Sequence, residues 1–370
     1  NTYNVEYSKE GYFTDTLQVS LINGETTVQN VSLLPKESFT KHGKIVDYQG
    51  NGIPNCNLII SSNFIKDTIM TNQLGEFILD TLYQSDYIFY YGSWGYRTEC
   101  NIITITNDSL PILLNLENSY YDDFTFDFGW QIYGNSSSGT WEIGNPNPTI
   151  ENNEIYNPSD DIAFDCSYNA FITGNALGGG ATADDVDDGF TLIESPIFDL
   201  TNYINPKVKF FEWFANGDGL SYANDSLNVY LSNGLTSKLI STTSGQLNNQ
   251  WIEKNINISQ FIEPTSDMKI SFKVSDYNPY SHLLEAGIDG FEIYEDSSVS
   301  NLNNWSSKNV IFPNPVENWL NTSLDGLKSI FNISGELIIK CNKKNIDVSK
   351  LKSGIYFLNL NDQFYKFIKT

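Results

Sequence analysis

The chain contains 370 residues, of which 40% are hydrophobic and 14% aromatic, so it can bury the cores of roughly two to four domains. Its 45 acidic residues outnumber its 21 basic residues and give a formal net charge of −24. This charge argues against nucleic acid as a partner, because phosphates are bound by Lys and Arg. No run approaches the roughly eighteen apolar residues of a membrane-spanning helix, so we expect no transmembrane segment.

Short apolar runs separated by turns rich in Gly, Asn and Pro dominate the sequence, and long stretches of helical periodicity are absent. Runs of this length with such boundaries are typical of β-strands. The pattern predicts an all-β protein built from tandem β-sandwiches.

The amino-terminal part contains an internal repeat. Residues 3–12 (YNVEYSKEGY) align with residues 87–96 (YIFYYGSWGY), and each copy continues with a strand, a polar turn and a last strand. Only the second copy is preceded by a first half. We therefore expect residues 1–36 to be the second half of a truncated domain, and more protein to precede Asn1.

The second copy completes a domain that we expect to span residues 37–118. Within it, residues 42–81 contain the elements G-x-(I/V)-x-D, G-x-x-(I/V) and T-(D/N)-x-x-G-x-(F/Y) in that order. This order resembles the carboxypeptidase regulatory-like (transthyretin-like) domain, and the resemblance implies a transthyretin-like β-sandwich. The matching positions are Gly43, Asp47, Gly52, Thr71, Gly75 and Phe77.

Residues 119–295 contain several segments that are rich in Trp, Phe and Asp. They include residues 128–130 (FGW), 184–189 (DDVDDG), 211–213 (FEW) and 285–293 (EAGIDGFEI). The order of these segments resembles the jelly-roll modules that follow secreted peptidases and are related to MAM-like and cleaved-adhesin-like domains. The resemblance implies a jelly-roll domain.

One predicted strand of this domain alternates in a regular way. Residues 208–214 (VKFFEWF) carry Phe210 and Phe214 on one face and Phe211 and Trp213 on the other. Large aromatic residues on both faces predict a strand that is buried on both sides.

An acidic run in the same domain is the best candidate for a metal site. Ca²⁺ prefers roughly six to eight oxygen ligands, and clustered carboxylates beside a glycine turn can supply several of them. The candidate ligands in the run are Asp184, Asp185, Asp187 and Asp188.

The jelly-roll resemblance implies further calcium ligands, because the first and last strands of such folds often share a calcium site. These are Asp122, Asp123 and Asp289. The alternative is a solvated acidic loop with ordinary turn aspartates.

The two histidines, His42 and His282, lie in different predicted domains. A nucleophile, a base and an orienting group must meet within hydrogen-bond distance, so we expect neither a Ser-His-Asp nor a Cys-His arrangement. A histidine-based zinc site is not expected either. We therefore predict no catalytic residue in this chain, and any catalytic domain would precede Asn1.

The four cysteines are Cys56, Cys100, Cys166 and Cys341, and only Cys56 and Cys100 share a complete predicted domain. An exported protein can form a disulfide between them. Two buried free thiols are the alternative, because sequence alone does not place their Cα atoms within bridging distance.

The carboxy-terminal part differs in composition. Residues 296–308 (DSSVSNLNNWSSK) are rich in Ser and Asn and are predicted to be a linker. Residues 309–370 contain eight Lys and five acidic residues, so the acidic excess of the chain lies before them. This change of composition supports a domain boundary.

Short β-rich runs in residues 309–370, separated by turns, indicate a small antiparallel sandwich. Six motifs in this segment, in order, resemble the type A C-terminal sorting domain of proteins exported by the type IX secretion system, which has a small Ig-like fold. The residues that carry the resemblance include Pro313, Asn314, Pro315, Gly335, Gly354, Tyr356, Lys366 and Lys369.

The resemblance implies a location and partners. The protein would be exported across the outer membrane of a Gram-negative bacterium and be secreted or held at the cell surface. The partners would be the type IX translocon, its outer-membrane shuttle protein and a sortase-like peptidase that cleaves the linker. The mature part would be released or joined to surface polysaccharide.

Five Asp-(Ser/Thr)-aliphatic triplets resemble the O-glycosylation sequon of bacteria that use this secretion route. The candidate acceptors are Thr16, Thr68, Thr81, Ser109 and Ser226. Such triplets are also common at the start of β-strands, so we expect only some of them to be modified.

Two functions remain open for the modules ahead of the tail. They are interpreted first as accessory domains of a secreted hydrolase, with a peptidase favoured. Alternatively, they belong to a surface adhesin or glycan-binding protein without an enzyme domain. Trp94, Trp141 and Tyr222 would serve a glycan-binding face if they lay together at the surface, although core packing is the usual role of such residues.

Overall fold

The computed structural model describes the chain except for residues 63–65, 164, 179, 218–224, 246–247, 277–281, 296–310, 314, 323–327, 333–336 and 361–362, and the side chains of residues 248–249, 311–312, 360 and 363–365. The chain divides into two compact units, Asn1–Ser297 and Ser298–Thr370. The predicted linker lies outside the described residues. Almost all regular structure is β-strand, which confirms the predicted all-β class.

The amino-terminal segment forms an antiparallel hairpin of β1 (Thr2–Tyr7) and β2 (Asp15–Ser20). Among residues 1–36, all of which are described, only Val19 is buried. An isolated hairpin of this kind has no core of its own.

The next segment forms a two-sheet sandwich. Its strands are β3 (Ser38–Asp47), β4 (Asn57–Ser61), β5 (Lys66–Met70), β6 (Glu76–Tyr83), β7 (Ser85–Gly92), β8 (Glu99–Ile105) and β9 (Ile112–Leu116). They form one sheet in the order β6-β3-β9 and another in the order β5-β4-β7-β8. Apolar residues at alternate positions of β4 and β7 fill the core, so that Leu58, Ile60 and Phe89 are almost fully buried.

The turn between β5 and β6 requires glycine at position 75. The φ angle of Gly75 is +77°, and a Cβ there would lie 2.5 Å from the carbonyl oxygen of Ile45 and 2.6 Å from the backbone nitrogen of Ile53. A larger residue would be strained and would also clash. Backbone conformation and close packing thus explain why the T-(D/N)-x-x-G-x-(F/Y) element has glycine at this position.

The largest sandwich follows. Its strands are β10 (Tyr120–Asp122), β11 (Gln131–Gly134), β12 (Trp141–Gly144), β13 (Ile150–Glu151), β14 (Glu154–Ile155), β15 (Ala170–Thr173), β16 (Gly189–Glu194), β17 (Pro206–Gly217), β18 (Ser226–Ser232), β19 (Ser237–Ser244), β20 (Asn248–Asn257), β21 (Lys269–Asp276) and β22 (Leu283–Glu295), with short 3-10 turns at Ala181–Ala183 and Ile258–Gln260. One sheet has the order β12-β15-β22-β17-β20, with β10 also paired to β22. The other has the order β11-β16-β21-β18-β19, and β13 and β14 form a separate hairpin.

Strand β17 lies inside the first of these sheets, between β22 and β20. Phe210 and Phe214 point into the core between the sheets and are almost fully buried, as the alternation predicted. On the other face, Trp213 is buried and its Nε1 donates a hydrogen bond to the carbonyl oxygen of Tyr156 at 2.5 Å. The prediction of burial on both faces is confirmed for Trp213, whereas Phe211 is only partly buried.

A disulfide joins the two sandwiches of the first unit. Cys100 on β8 is bonded to Cys166 in the loop before β15, with their Cα atoms 5.6 Å apart. Cys56 is a buried free thiol, so the pair considered from the sequence, Cys56 and Cys100, is not the bonded one. The alternative of free thiols is confirmed for Cys56 and wrong for Cys100. Both alternatives counted partners only within a predicted domain, whereas the packing of the two sandwiches brings Cys166 against β8.

Further contacts accompany this disulfide. Arg97, the only arginine of the chain, pairs with Glu292 on β22 at 3.0 Å and lies over the ring of Tyr121 at 4.0 Å from its centroid. Trp94 stacks on Phe291, with ring centroids 6.0 Å apart. The two sandwiches are therefore packed against each other in one unit.

The second unit contains the predicted small sandwich. Its strands are β23 (Ile311–Phe312), β24 (Trp319–Thr322), β25 (Lys328–Asn332), β26 (Leu337–Cys341), β27 (Asn345–Asp347), β28 (Gly354–Leu360) and β29 (Gln363–Lys369). The sheets have the orders β23-β24-β27 and β26-β25-β28-β29. Leu320, Ile346, Leu358 and Phe367 lie in its own apolar core.

Candidate functional site

Three carboxylates converge where β22 meets the loop before β15. Asp289 lies on β22, and Asp161 and Asp165 lie in that loop. One oxygen of each carboxylate lies within 4.8 Å of the corresponding oxygens of the other two. We call these three residues the acidic cluster; the sequence predicted Asp289 as a ligand but missed Asp161 and Asp165.

Backbone hydrogen bonds fix the position of this cluster. Oδ2 of Asp289 accepts a hydrogen bond from the backbone nitrogen of Ile162 at 3.1 Å, and Oδ1 accepts one from Gly290 at 2.7 Å. Oδ2 of Asp123 accepts a hydrogen bond from the backbone nitrogen of Cys166 at 3.3 Å. The disulfide-bonded residue Cys166 therefore anchors the loop that carries the cluster.

The negative charges of the acidic cluster are poorly compensated. Burial raises the pKa of Asp165 to about 7 and that of Asp161 to about 6, and the carboxylate of Asp123 contributes to both shifts. Burial also raises the pKa of Asp289 well above its ordinary value. Oδ2 of Asp161 and Oδ2 of Asp165 are buried without a hydrogen-bond partner among the described residues. A bound cation would stabilise the ionised carboxylates, and these all-oxygen donors suit Ca²⁺.

Asp122, also predicted as a calcium ligand, is next to Asp123 in sequence and is fully buried. Its Oδ2 accepts a hydrogen bond from Nε1 of Trp130 at 2.8 Å, and its Oδ1 accepts one from the backbone nitrogen of Phe124 at 2.9 Å. Burial raises the pKa of Asp122 to about 8. Its side chain holds the turn after β10 and the Trp130 ring.

The acidic run lies between the 3-10 turn Ala181–Ala183 and β16. Asp184 and Asp187 accept hydrogen bonds from neighbouring loops. Asp185 is buried, which raises its pKa to about 7, and Asp188 is exposed with a φ angle of +51°. None of the four belongs to a group of three potential ligands within 4.8 Å in the described part of the chain. Calcium binding by the run stays a prediction.

A second convergent group consists of Asp225, Asp276 and His282. Asp225 precedes β18, Asp276 ends β21 and His282 precedes β22, and all three are buried. Their potential ligand atoms lie within 4.8 Å of one another. This group was not predicted from the sequence, because His282 was considered only together with the other histidine. The available signal was that two aspartates and a histidine lie at the ends of predicted strands.

Trp94 and Trp141, two of the aromatic residues considered for a glycan-binding face, do not form one together. Trp141 is 1% exposed and lies in the core. Trp94 is partly buried, and its Nε1 donates a hydrogen bond to the carbonyl oxygen of Ile197 at 2.7 Å. Tyr222 lies outside the described residues. Core packing, the usual role of such residues, is confirmed for Trp141, and Trp94 packs partly buried against the same core.

The five candidate glycosylation sites differ in accessibility. Ser226 is partly buried and its Oγ accepts a hydrogen bond from Nδ2 of Asn228 at 2.8 Å. The other four acceptors are exposed: Thr16, Thr68, Thr81 and Ser109. Modification of these residues stays a prediction.

The described sorting-signal residues are mostly accessible. Pro313, Pro315, Gly354 and Lys366 are exposed, whereas Tyr356 is partly buried and Lys369 is buried. The ring of Tyr356 stacks on the buried ring of Phe367 with centroids 5.7 Å apart. The hydroxyl of Tyr356 donates a hydrogen bond to the carbonyl oxygen of Lys352, and Lys369 Nζ donates one to the carbonyl of Thr370. Asn314 and Gly335 lie outside the described residues.

Comparison with protein families identifies the second unit. Residues 310–370 match the family described as "Secretion system C-terminal sorting domain". No curated protein is significantly similar to the chain in sequence.

Solved structures resemble about half of the chain weakly. The K1 cleaved adhesin domain of Lys-gingipain from Porphyromonas gingivalis has 16% identity and a TM-score of 0.29, with 48% of this chain and 98% of that chain covered. A family 11 carbohydrate-binding module from Clostridium thermocellum has 12% identity and a TM-score of 0.27, with 47% and 93% covered.

No helix among the described residues is long and apolar enough to cross a membrane. The sorting-domain match indicates interaction with the type IX secretion machinery. Residues 310–370 are a type IX C-terminal sorting signal, and the protein is exported across the outer membrane to the cell surface or beyond.

Proposed function

We propose that the chain is the non-catalytic C-terminal region of a type IX cargo, in which residues 309–370 act as the translocation and sorting signal. One observation carries the proposal: the residues that match the sorting-domain family form a separate unit with its own apolar core. A folded unit presents a surface of fixed shape. Recognition should therefore depend on this surface rather than on any one side chain.

The partners of this surface are the type IX translocon and its outer-membrane shuttle protein. The exposure of Pro313, Pro315 and Lys366 supports this assignment, because a receptor can reach exposed residues. A sortase-like peptidase would then cleave within residues 296–308. The mature part would be secreted or joined to surface polysaccharide.

The modules ahead of the tail would serve as accessory domains of a secreted hydrolase, with a peptidase favoured by the sequence resemblance. The disulfide between Cys100 and Cys166 and the ion pair between Arg97 and Glu292 support this role. Both contacts tie neighbouring sandwiches together, as suits modules that hold a partner domain or ligand in a fixed position.

The test is a reporter protein with a periplasmic leader, fused to residues 309–370 and expressed in a bacterium that has a type IX secretion system. The proposal predicts that the reporter appears at the surface or in the medium. A matched control lacks β29, which pairs along the length of β28 and supplies the buried Phe367, and it should stay in the periplasm. A folded fusion that also stays in the periplasm would contradict the proposal.

A second candidate function, glycan binding, is favoured by a cleft of about 450 Å³ between the two sandwiches of the first unit. Its lining includes Tyr90, Asn101, Asp161 and Tyr168, and Tyr168 is 75% exposed. An exposed aromatic ring beside amide and carboxylate groups suits a sugar, whose ring has apolar faces and polar edges. Calcium in the acidic cluster would stabilise one wall of this cleft.

A binding assay of the full chain with surface polysaccharide from the bacterium that produces the protein tests this second function. Tyr168→Ala should weaken binding, whereas Tyr133→Ala should not, because Tyr133 is similarly exposed on β11 but does not line the cleft. If both variants bind as tightly as the unmodified chain, the cleft is not the binding site.

A further inference from the structure

We propose that Asp225, Asp276 and His282 form a binding site for one divalent transition-metal ion, for which Zn²⁺ is the appropriate probe. We call these residues the His–Asp site. It is separate from the acidic cluster and does not depend on the proposed secretion function.

The fold brings the three side chains together from three neighbouring strand ends. β21 pairs with β18 through a continuous antiparallel register, so that Asp276 at the end of β21 lies next to the start of β18, where Asp225 is found. His282 immediately precedes β22. Its Nδ1 lies 3.0 Å from Oδ2 of Asp225, and the potential ligand atoms of all three residues lie within 4.8 Å of one another. Side chains on strand ends of a packed sandwich are held more precisely than side chains on a long loop.

Asp276 provides an observation that points to a ligand. Its side chain is 1% exposed, and its Oδ1 has no hydrogen-bond partner among the described residues. A buried carboxylate oxygen without a partner is costly, because its hydration is lost and not replaced. A pair consisting of His282 and Asp225 alone would leave this oxygen unused, whereas a metal ion would employ it.

The surrounding charges also favour a cation. Asp187 and Asp188 are close enough to act electrostatically on Asp276, as is Asp225, while His282 acts on it in the opposite sense. No Lys or Arg forms an ion pair with Asp225 or Asp276 in the described part of the chain. A divalent ion would supply the missing positive charge.

The donor set selects the class of metal. Ca²⁺ and Mg²⁺ prefer oxygen ligands alone, whereas an imidazole together with carboxylates suits Zn²⁺ and related first-row ions. Three protein ligands leave one tetrahedral position for water. The acidic cluster, which has only oxygen donors, is the contrasting site in the same sandwich.

The experiment is titration of the chelator-treated full chain with Zn²⁺ by calorimetry in excess Ca²⁺, so that oxygen-only sites are occupied. We expect one Zn²⁺ per chain and a raised melting temperature. Asp276→Asn and His282→Gln should each weaken binding by at least about tenfold. His42→Ala, which changes the only other histidine, and Asp289→Asn, in the acidic cluster, should leave Zn²⁺ binding unchanged.

A second measurement leaves the three residues of the His–Asp site unchanged, so misfolding of a site variant cannot affect its result. With two histidines in the chain, the imidazole resonances of the His42→Ala protein come from His282 alone. Zn²⁺ should shift these resonances at one equivalent. If they do not move, or if the site variants bind Zn²⁺ as tightly as the unmodified chain, the group is a buried ion pair and the proposal is wrong.

Discussion

Cys100 and Cys166 are joined by a disulfide across the boundary between two sandwiches, although 66 positions separate them in sequence. The backbone nitrogen of Cys166 also donates a hydrogen bond to Asp123, and Asp165 of the acidic cluster is the preceding residue. The disulfide that links the two sandwiches therefore also anchors the loop that carries two residues of the acidic cluster.

Replacing both bonded cysteines by serine should lower the stability of the first unit. In the chain-entropy description, opening a loop of this length costs about 4 kcal/mol, partly offset by relaxation of the native state. Urea unfolding followed by tryptophan fluorescence measures the change. Cys341→Ser, in the other unit, is the control and should leave this transition in place. An unchanged midpoint in the double variant would show that the disulfide does not hold the modules together.

Calcium should raise the melting temperature of the chelator-treated chain, and Asp289→Asn should abolish most of that increase, because Asp289 is the member of the acidic cluster on the rigid strand β22. Asp188→Asn is the control from the acidic run. It is exposed, and Asn tolerates its positive φ angle, so its calcium response should be unchanged. If only Asp188→Asn lost the calcium response, the calcium site would lie in the acidic run and not in the acidic cluster.

The metal-free chain should become less stable between pH 5 and pH 7.5. Folding raises the pKa of Asp161 to about 6 and that of Asp165 to about 7, so in this range the folded state binds more protons than the unfolded state. Stability contributed by these protonated groups is complete below the unfolded pKa and is lost as the pH rises through the folded values.

Urea unfolding at both pH values in the presence of a chelator measures this effect. Asp165→Asn, which resembles the protonated residue, should make the pH dependence shallower. Calcium should stabilise the unmodified chain more at pH 7.5 than at pH 5. If stability instead increases up to pH 7.5 without metal, the burial of these carboxylates does not control it.

Arg97→Ala should destabilise the first unit by about 1–3 kcal/mol, because it removes both the ion pair with Glu292 and the cation–π contact with Tyr121. Chemical denaturation of the full chain measures the change. Lys9→Ala removes an exposed cation–π contact with Tyr12 at 5.0 Å and should have a much smaller effect. Equal effects of the two variants would mean that Arg97 does not stabilise the contact between the sandwiches.

Features that depend on local pattern could be predicted from the sequence. The alternation of residues 208–214 placed Phe210 and Phe214 in the core, and the short runs of residues 309–370 predicted the small sandwich. The glycine of one sequence element corresponds to the turn at Gly75, whose φ angle is +77°. In each case the information lies within a few residues, because strand period and turn geometry are local properties.

Features that depend on packing between distant segments could not be predicted. Cys166 meets Cys100 only because one sandwich packs on the other, and His282 meets Asp276 only because two strands end side by side. Asp122 and Asp123 are adjacent in sequence, yet Asp122 binds Trp130 whereas Asp123 lies beside the acidic cluster. Composition identifies such residues as candidates, but the tertiary fold decides their partners.

The central claim, that residues 309–370 direct export, is tested most directly in the host bacterium by comparing the full chain with a chain that ends at residue 308. Immunoblotting of periplasm, intact-cell surface and medium locates each form. If residues 309–370 direct export, the shortened chain should accumulate in the periplasm with its first unit folded, while the full chain reaches the surface or medium. Equal delivery of both forms would contradict it.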